Sequence, residues 1–273
     1  MNNTEYQEVK AQNAIHQPVV ICIDTSGSMT MDAGNGNSKL KIVEDMINSI
    51  KDIDLSETEK NAVDICILGF DNKVYTIVDW IPLSKFAGDV KLNADGTTAL
   101  NSVILESIKK VREQRKSYAN KQVRCRRAQI FVYTDGFSTE PMDQAYSKAK
   151  DYFNREDPKP SAKLNMIFIP TFYEGKIIKM TDEDTWEDYK ELVRGLGKKT
   201  AFINAEDCVK GIPAGFKFMI DSIVEWSVSA PGSDVEVKMG TDLVAVQNHG
   251  GVQNQDGTNT VIDTDIADEI ELA

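Results

Sequence analysis

Long apolar runs are missing from this chain of 273 residues. No stretch approaches the ~20 apolar residues that a membrane-spanning helix needs, so no membrane partner is expected. Histidine is scarce: His16 and His249 are the two. Neither has sequence neighbours of metal-ligand type, so both are expected to be solvated polar residues. No Ser/His/Asp catalytic set can be built from them. The four cysteines, Cys22, Cys66, Cys125 and Cys208, match neither a zinc signature nor a disulfide framework. Cys22 and Cys66 fall inside apolar strand patterns, where cysteine behaves as a small hydrophobe. A reducing, cytoplasmic compartment is the expectation. The opening MNNTEYQEVKAQNAIHQP lacks a basic n-region and an apolar h-region, so it does not read as a secretory signal. The phosphate loop G-x-x-x-x-G-K-[ST] is also missing. Positive charge is in deficit, 31 Lys and Arg against 43 Asp and Glu for a net charge of −12. That excess of acid argues against nucleic acid as a partner.

The charge is uneven. Residues 230–273 hold nine acids and one base, Lys238, and so carry −8 of the total. Three regions follow: a polar lead at 1–17, a globular domain at 18–229 and an acidic tail at 230–273. The tail is rich in Gly, Asn, Gln, Asp and Thr, and is expected to be flexible or weakly folded. Within it, VEVKM and TVIDTDI could become strands if an edge is offered to them.

Within the domain, VVICID (19–24) is a continuous apolar run ending in aspartate, the pattern of a strand buried on both faces. After a Gly/Asn-rich loop, Ser38 can cap a helix through about Ile53, with Leu40, Val43, Ile47 and Ile50 at helical spacing. AVDICILGF (62–70) is a second strand. Asp71-Asn72 turns it into KVYTIVDW (73–80), and so short a turn requires antiparallel pairing. A helix from Leu100 to about Gln114 carries Val103, Ile104, Ile108 and Val111 on one face. AQIFVYTDG (128–136) is a third buried strand, followed by a helix starting near Pro141. LNMIFIPTF (164–172), a helix opening near Thr181, TAFIN (200–204) and a helix from about Ala214 to Val228 complete the domain. Alternating strands and helices predict an α/β, doubly wound, mostly parallel six-stranded sheet with helices on both faces. The expected strand order is 3-2-1-4-5-6, strand 3 being the only antiparallel member.

In such a sheet, ligands bind beyond the carboxyl ends of the strands, where the strand order reverses. Two strands end in aspartate there, at Asp24 and Asp135. In the turn after Asp24, the alternate side chains of Asp24, Ser26 and Ser28 can face one point, and Gly27 lets the backbone bend. Thr97 and Thr98 bring hydroxyls from another loop. Hard oxygens with few charges suit Mg²⁺, with Mn²⁺ or Ca²⁺ as alternatives. Hydroxyl ligands leave the ion electrophilic, so an incoming anionic oxygen is favoured.

The segments DTSGSM, GTTAL and TDG together resemble the metal-ion-dependent adhesion site of von Willebrand factor A domains, whose fold is Rossmann-like. The resemblance spans about residues 18–228. It implies that Asp24, Ser26 and Ser28 form the DxSxS element and that Asp135 is the second aspartate, which usually acts through water. The family's usual loop reads GGTxL; here Gly96-Thr97 stands for the two glycines. That alignment makes Thr98 the ligand, with Thr97 as the alternative. The compact form and the closing FKFMIDSIVEWSVS helix resemble bacterial tellurium-resistance (Ter-type) proteins.

The resemblance implies a non-enzymatic, Mg²⁺-dependent adaptor. Its metal would take an Asp or Glu from another protein, in a bacterial stress-response, tellurium-resistance or kinase/phosphatase signalling system. Two alternatives differ in class. One is a Mg²⁺-dependent hydrolase or phosphatase. A dehalogenase-type phosphatase needs a second Asp two residues after the first, as general acid, and that position is Ser26. The other is a subunit of a chelatase or AAA-ATPase complex. The basic run Lys109, Lys110, Arg112, Arg115, Lys116, Lys121, Arg124, Arg126, Arg127 reads as a solvated face rather than a phosphate site. It and the open metal position are the two places where the acidic tail could dock.

Overall fold

The computed structural model of the protein describes residues 14–136, 138–140, 144–155, 160–173, 176–178, 196, 201–205, 207–229, 234–238, 241–246 and 259–263. Strand β1, Gln17–Asp24, is buried at every position. Its side chains alternate between two cores: Val19, Ile21 and Ile23 enter one, Val20 and Cys22 the other. A period of two with both faces apolar is what a strand covered on each side requires.

Helix α1, Lys39–Ser49, starts at Ser38, whose side chain accepts a hydrogen bond from the Lys41 amide at 3.1 Å. Its apolar stripe continues through a 3-10 turn, Ile50–Asp52. A short helix α2, Glu57–Ala62, is set by a reciprocal capping box between Ser56 and Glu59. Strands β2 (Val63–Phe70) and β3 (Val74–Pro82) follow, then helix α3 (Leu100–Asn120), β4 (Ala128–Thr134), α4 (Gln144–Asn154) and β5 (Ala162–Phe168). Short strands β6 (Thr171–Tyr173) and β7 (Lys176–Ile178) pair with each other. Then come β8 (Ala201–Ala205), α5 (Cys208–Val228), β9 (Asp234–Lys238), β10 (Leu243–Val246) and β11 (Asn259–Asp263). Helices α1 and α5 cover one face through Val43, Ile47, Phe216, Met219 and Ile223. Helices α3 and α4 cover the other through Val103, Ile108, Tyr152 and Phe153.

The main sheet runs β10-β8-β5-β4-β1-β2-β3. Strand β1 pairs in parallel with β2 and β4, and β4 with β5, while β2 and β3 are antiparallel. The expected order 3-2-1-4-5 is thus present, with its antiparallel edge. Beyond β5 the expectation needs correction. The sheet has seven strands rather than six, and β3 is not the only antiparallel member. Strand β8 joins β5 in parallel, and β10 lies antiparallel on β8, Leu243 opposite Ala205. An open edge of unpaired amides and carbonyls recruits a strand, and the chain leaving α5 supplies it. The described residues beyond 230 thus include three strands. Strand β9, which overlaps VEVKM, pairs with β11, which overlaps TVIDTDI. Val237 and Leu243 are buried in the α1/α5 core.

Other expectations shift too. Helix α5 begins at Cys208 rather than near Ala214, because Asp207 caps it, accepting from the Lys210 amide at 2.7 Å. Pro213 lies inside the helix, where its missing N–H costs one turn bond. Helix α3 runs on to Asn120. Pro141, the helix opening near Thr181, and His249 lie outside the described residues. His16 is not merely solvated. Its Nδ1 lies 2.6 Å from Asp64 Oδ2, which also accepts from the Tyr118 hydroxyl at 2.5 Å. The parallel register that sets Pro18 beside Asp64 brings them together. Nor is the basic run wholly a solvated face. Lys110 pairs with Asp79 at 2.9 Å, and the Arg112 guanidinium lies 5.2 Å over the Tyr152 ring. Arg126 is buried, donating to the Ser229 carbonyl at 2.7 Å. Among the described residues no helix is long and apolar enough to cross a membrane.

Because Val237 and Leu243 fill the core and β10 covers the β8 edge, ending the chain after Ser229 should lower unfolding stability by roughly 3–6 kcal/mol. Urea denaturation checks this. An unchanged midpoint would make residues 230–273 a solubilising appendage without structural weight.

Candidate metal centre

Strands β1 and β4 are neighbours in the sheet. Strand β1 ends in Asp24, and Asp135 follows the last residue of β4. The crossovers diverge to opposite faces at this point, leaving a crevice above the strand ends. Three backbone bonds stitch the loop after β1 into it. The Thr25 amide reaches the Phe70 carbonyl at 2.9 Å, the Asp95 amide reaches the Thr25 carbonyl at 2.9 Å, and the Gly27 amide reaches the Gly96 carbonyl at 3.1 Å. Gly96 has φ +72, the left-handed region that favours glycine, and a side chain there would also push against the Asn72 amide group, 2.5 Å away.

Asp24 is fully buried. Its Oδ1 accepts the Ser26 amide at 2.8 Å and its Oδ2 accepts the Thr134 hydroxyl at 2.5 Å. The Ser26 and Ser28 hydroxyls are 3.1 Å apart. Ser28 donates to Asp135 Oδ1 at 2.6 Å, while Asp135 Oδ2 accepts from the Lys39 ammonium. Burial, and then the nearby Asp135 carboxylate, push the Asp24 carboxyl up to about 6, against the pull of its hydrogen bonds from Ser26 and Thr134.

The two threonines of the GTT loop part ways. Thr97 donates its hydroxyl to Asn72 Oδ1 at 2.7 Å and is exposed. Thr98 is buried, its Oγ1 lying 3.5 Å from where a Cβ on Gly136 would sit, beside Asp135. Thr139 holds the Thr98 backbone from both sides: its hydroxyl accepts the Thr98 amide at 3.1 Å, and its amide donates to the Thr98 carbonyl at 3.0 Å. Glu140 accepts the Ser102 amide at 2.9 Å in the first turn of α3. Asp24, Ser26, Ser28 and Asp135 thus form one hydrogen-bonded group with Thr98 at its edge. Lys39, Thr134, Thr139 and Glu140 are additions that the sequence reading missed. Lys39 did carry a signal, a cation in the first turn of a helix, where the dipole disfavours it.

The donor set fits a small hard cation. Ser28 gives its proton to Asp135, so its oxygen lone pairs are available to an ion. Among the described residues, no three His, Cys, Asp or Glu could hold a metal. Any cation here relies on hydroxyl and water oxygens beside two carboxylates, the pattern of Mg²⁺ or Mn²⁺ rather than of zinc.

No protein-family model and no curated protein sequence matches the chain. In structure it is similar to the PilB minor pilin from Streptococcus sanguinis, at 16% identity and TM-score 0.51, over 81% of this chain and 64% of that one. It is also similar to a von Willebrand factor type A protein from Catenulispora acidiphila, at 12% identity and TM-score 0.53, over 82% and 46%. The chain therefore spans less than two thirds of either. The fold is that of a von Willebrand factor A domain, and at these identities the likeness extends to the fold.

The raised Asp24 pKa has a definite sign. The folded state holds this proton more tightly than the unfolded chain, so the metal-free fold is fully stabilised below about pH 4. It loses that stabilisation as pH rises through about 6. Asp24→Asn keeps an acceptor for the Ser26 amide and removes the charge. Urea unfolding in EDTA should find this variant more stable than the parent at pH 7.5, by on the order of 2 kcal/mol. The gap should close at pH 4; a constant gap would assign it to packing.

Proposed function

We propose that this chain is a metal-dependent protein-interaction module. A Mg²⁺-type ion would be held by Ser26, Ser28 and Thr98, with Asp24 and Asp135 bound directly or through water, and would offer an open position to a carboxylate from another protein. One observation carries the reading: hydroxyl and carboxylate oxygens gather at the carboxyl ends of β1 and β4, the place where a sheet of this kind takes its ligands. When bound, the ion supplies Lewis acidity toward an incoming anionic oxygen. The chain's own residues fix the hydroxyls, and their few negative charges leave that acidity largely unquenched.

The rim supports a protein partner. Of the three large hydrophobic side chains exposed among the described residues, Met31 and Val209 lie on the side of the site, and Val228 lies at the far end of α5. Met31 directly follows the 3-10 turn that carries Ser28. Val209 adjoins Cys208, whose thiol is pushed up to about 11 by burial, with smaller effects from Lys39 and Asp135. An acidic residue flanked by apolar ones is the complementary ligand. We read the chain as a non-enzymatic adaptor. Its proposed setting is a cytoplasmic bacterial stress-response, tellurium-resistance or kinase/phosphatase signalling assembly, as the resemblance to Ter-type proteins implies.

Calorimetry with Mg²⁺ and Mn²⁺ should detect one site, with Asp24→Ala and Ser26→Ala each weakening it at least about tenfold. Unchanged affinity in Asp24→Ala would remove Asp24 from the site. A bound partner should be retained on the immobilised chain in Mg²⁺ and released by EDTA, and phosphatase and esterase substrates should not turn over. Turnover dependent on Mg²⁺ would move the reading to a hydrolase.

A further inference from the structure

Lys39 is the least expected member of the cluster. It is the first residue of α1, where the helix dipole disfavours a cation, and its side chain is almost wholly withdrawn from water. Burying an ammonium is costly, and a buried ion pair stabilises a fold no better than apolar packing of the same volume. Stability alone does not account for a lysine here. Its ammonium meets Asp135 Oδ2, while Asp135 Oδ1 accepts from Ser28. One positive charge therefore lies within contact of the anionic group that the proposed site uses. Together with Asp24, whose carboxyl is as deeply buried, the cluster holds two acids and one base.

We infer that the Lys39 ammonium is a built-in competitor of the divalent ion: it neutralises Asp135 while the site is empty and must withdraw from that carboxylate, or share it at a cost, when the site is loaded. This rests on the reading of the site as a metal centre and adds a regulation to it. Lys39 keeps the empty site folded by compensating Asp135. It also sets a threshold, because a divalent ion near Asp135 meets a cation already in contact with the same carboxylate. Since Lys39 is the first residue of α1, a change in what holds its ammonium acts directly on that end of the helix.

The test compares the full chain with Lys39→Met, which fills the space without charge, and with Lys39→Gln, which keeps a donor for Asp135. Mn²⁺ alone is the probe, by calorimetry and by thermal unfolding with and without saturating ion. Both variants should bind Mn²⁺ at least about tenfold more tightly than the parent. In EDTA, Lys39→Met should melt roughly 5–15 °C lower, because Asp135 loses its counter-charge. Mn²⁺ should raise its melting temperature by more than it raises the parent's. If Lys39→Met folds only with Mn²⁺, that outcome supports the proposal, and Lys39→Gln supplies the affinity. Two results overturn it while leaving the metal reading intact: variants that bind no more tightly than a parent that does bind, or variants that fail to fold in Mn²⁺ as well as in EDTA. If neither the parent nor any variant binds Mn²⁺, the metal reading falls and this proposal with it.

Discussion

Everything at the crevice depends on β1 being buried along its whole length. A strand with both faces in a core and both edges paired has no freedom to slide, because a one-residue slip would exchange its two faces. The registers Asp24 opposite Phe70 and Ile23 opposite Tyr133 therefore fix where the strand stops and where its last carboxylate points. The loop that follows inherits that position. It is tied backward to Phe70 and sideways to Asp95 and Gly96, so two serines two residues apart come to face the carboxylate at the end of the adjacent strand.

The electrostatics of the crevice then follow from burial. Two carboxylates out of water and near each other cannot both be charged without compensation. The protein compensates each in a different way. Asp24 is relieved by an amide and a hydroxyl, and Asp135 by a hydroxyl and an ammonium. Each of these carboxylate oxygens thus has a partner within the chain.

The sequence made much of this legible, because the strongest signals are strong for physical reasons. Continuous apolar runs ending in aspartate mark central parallel strands and their carboxyl ends, and the Asp71-Asn72 turn fixes the antiparallel pairing of β2 with β3. The placement of Asp24, Ser26, Ser28 and Asp135 could be read from those ends. What could not be read depends on contacts between distant segments. Thr97 and Thr98 are chemically alike and adjacent, and Asn72 and Thr139, from two other loops, distinguish them. Lys39 stands out in the sequence only as a cation in a first helical turn, and its partner Asp135 is supplied by a distant strand end. His16 found its partners through a strand register that one segment alone does not reveal. The chain after 230 looked too polar for a core. Yet Val237 and Leu243 are buried in one, and β10 pairs along the edge of β8 through backbone bonds that composition does not record.

That edge strand has a consequence for how the domain is made. Both rims of the sheet are antiparallel strands, β3 on one side and β10 on the other, but they arrive at different times. Strand β3 follows β2 after a short turn, so its rim closes early through local contacts. Strand β10 lies beyond α5, so the rim of β8 stays open until α5 has formed and the following chain has emerged. Through that interval a parallel sheet presents an unpaired border to any neighbouring chain. That interval, rather than the finished fold, is when copies synthesised together have an edge free to pair with one another.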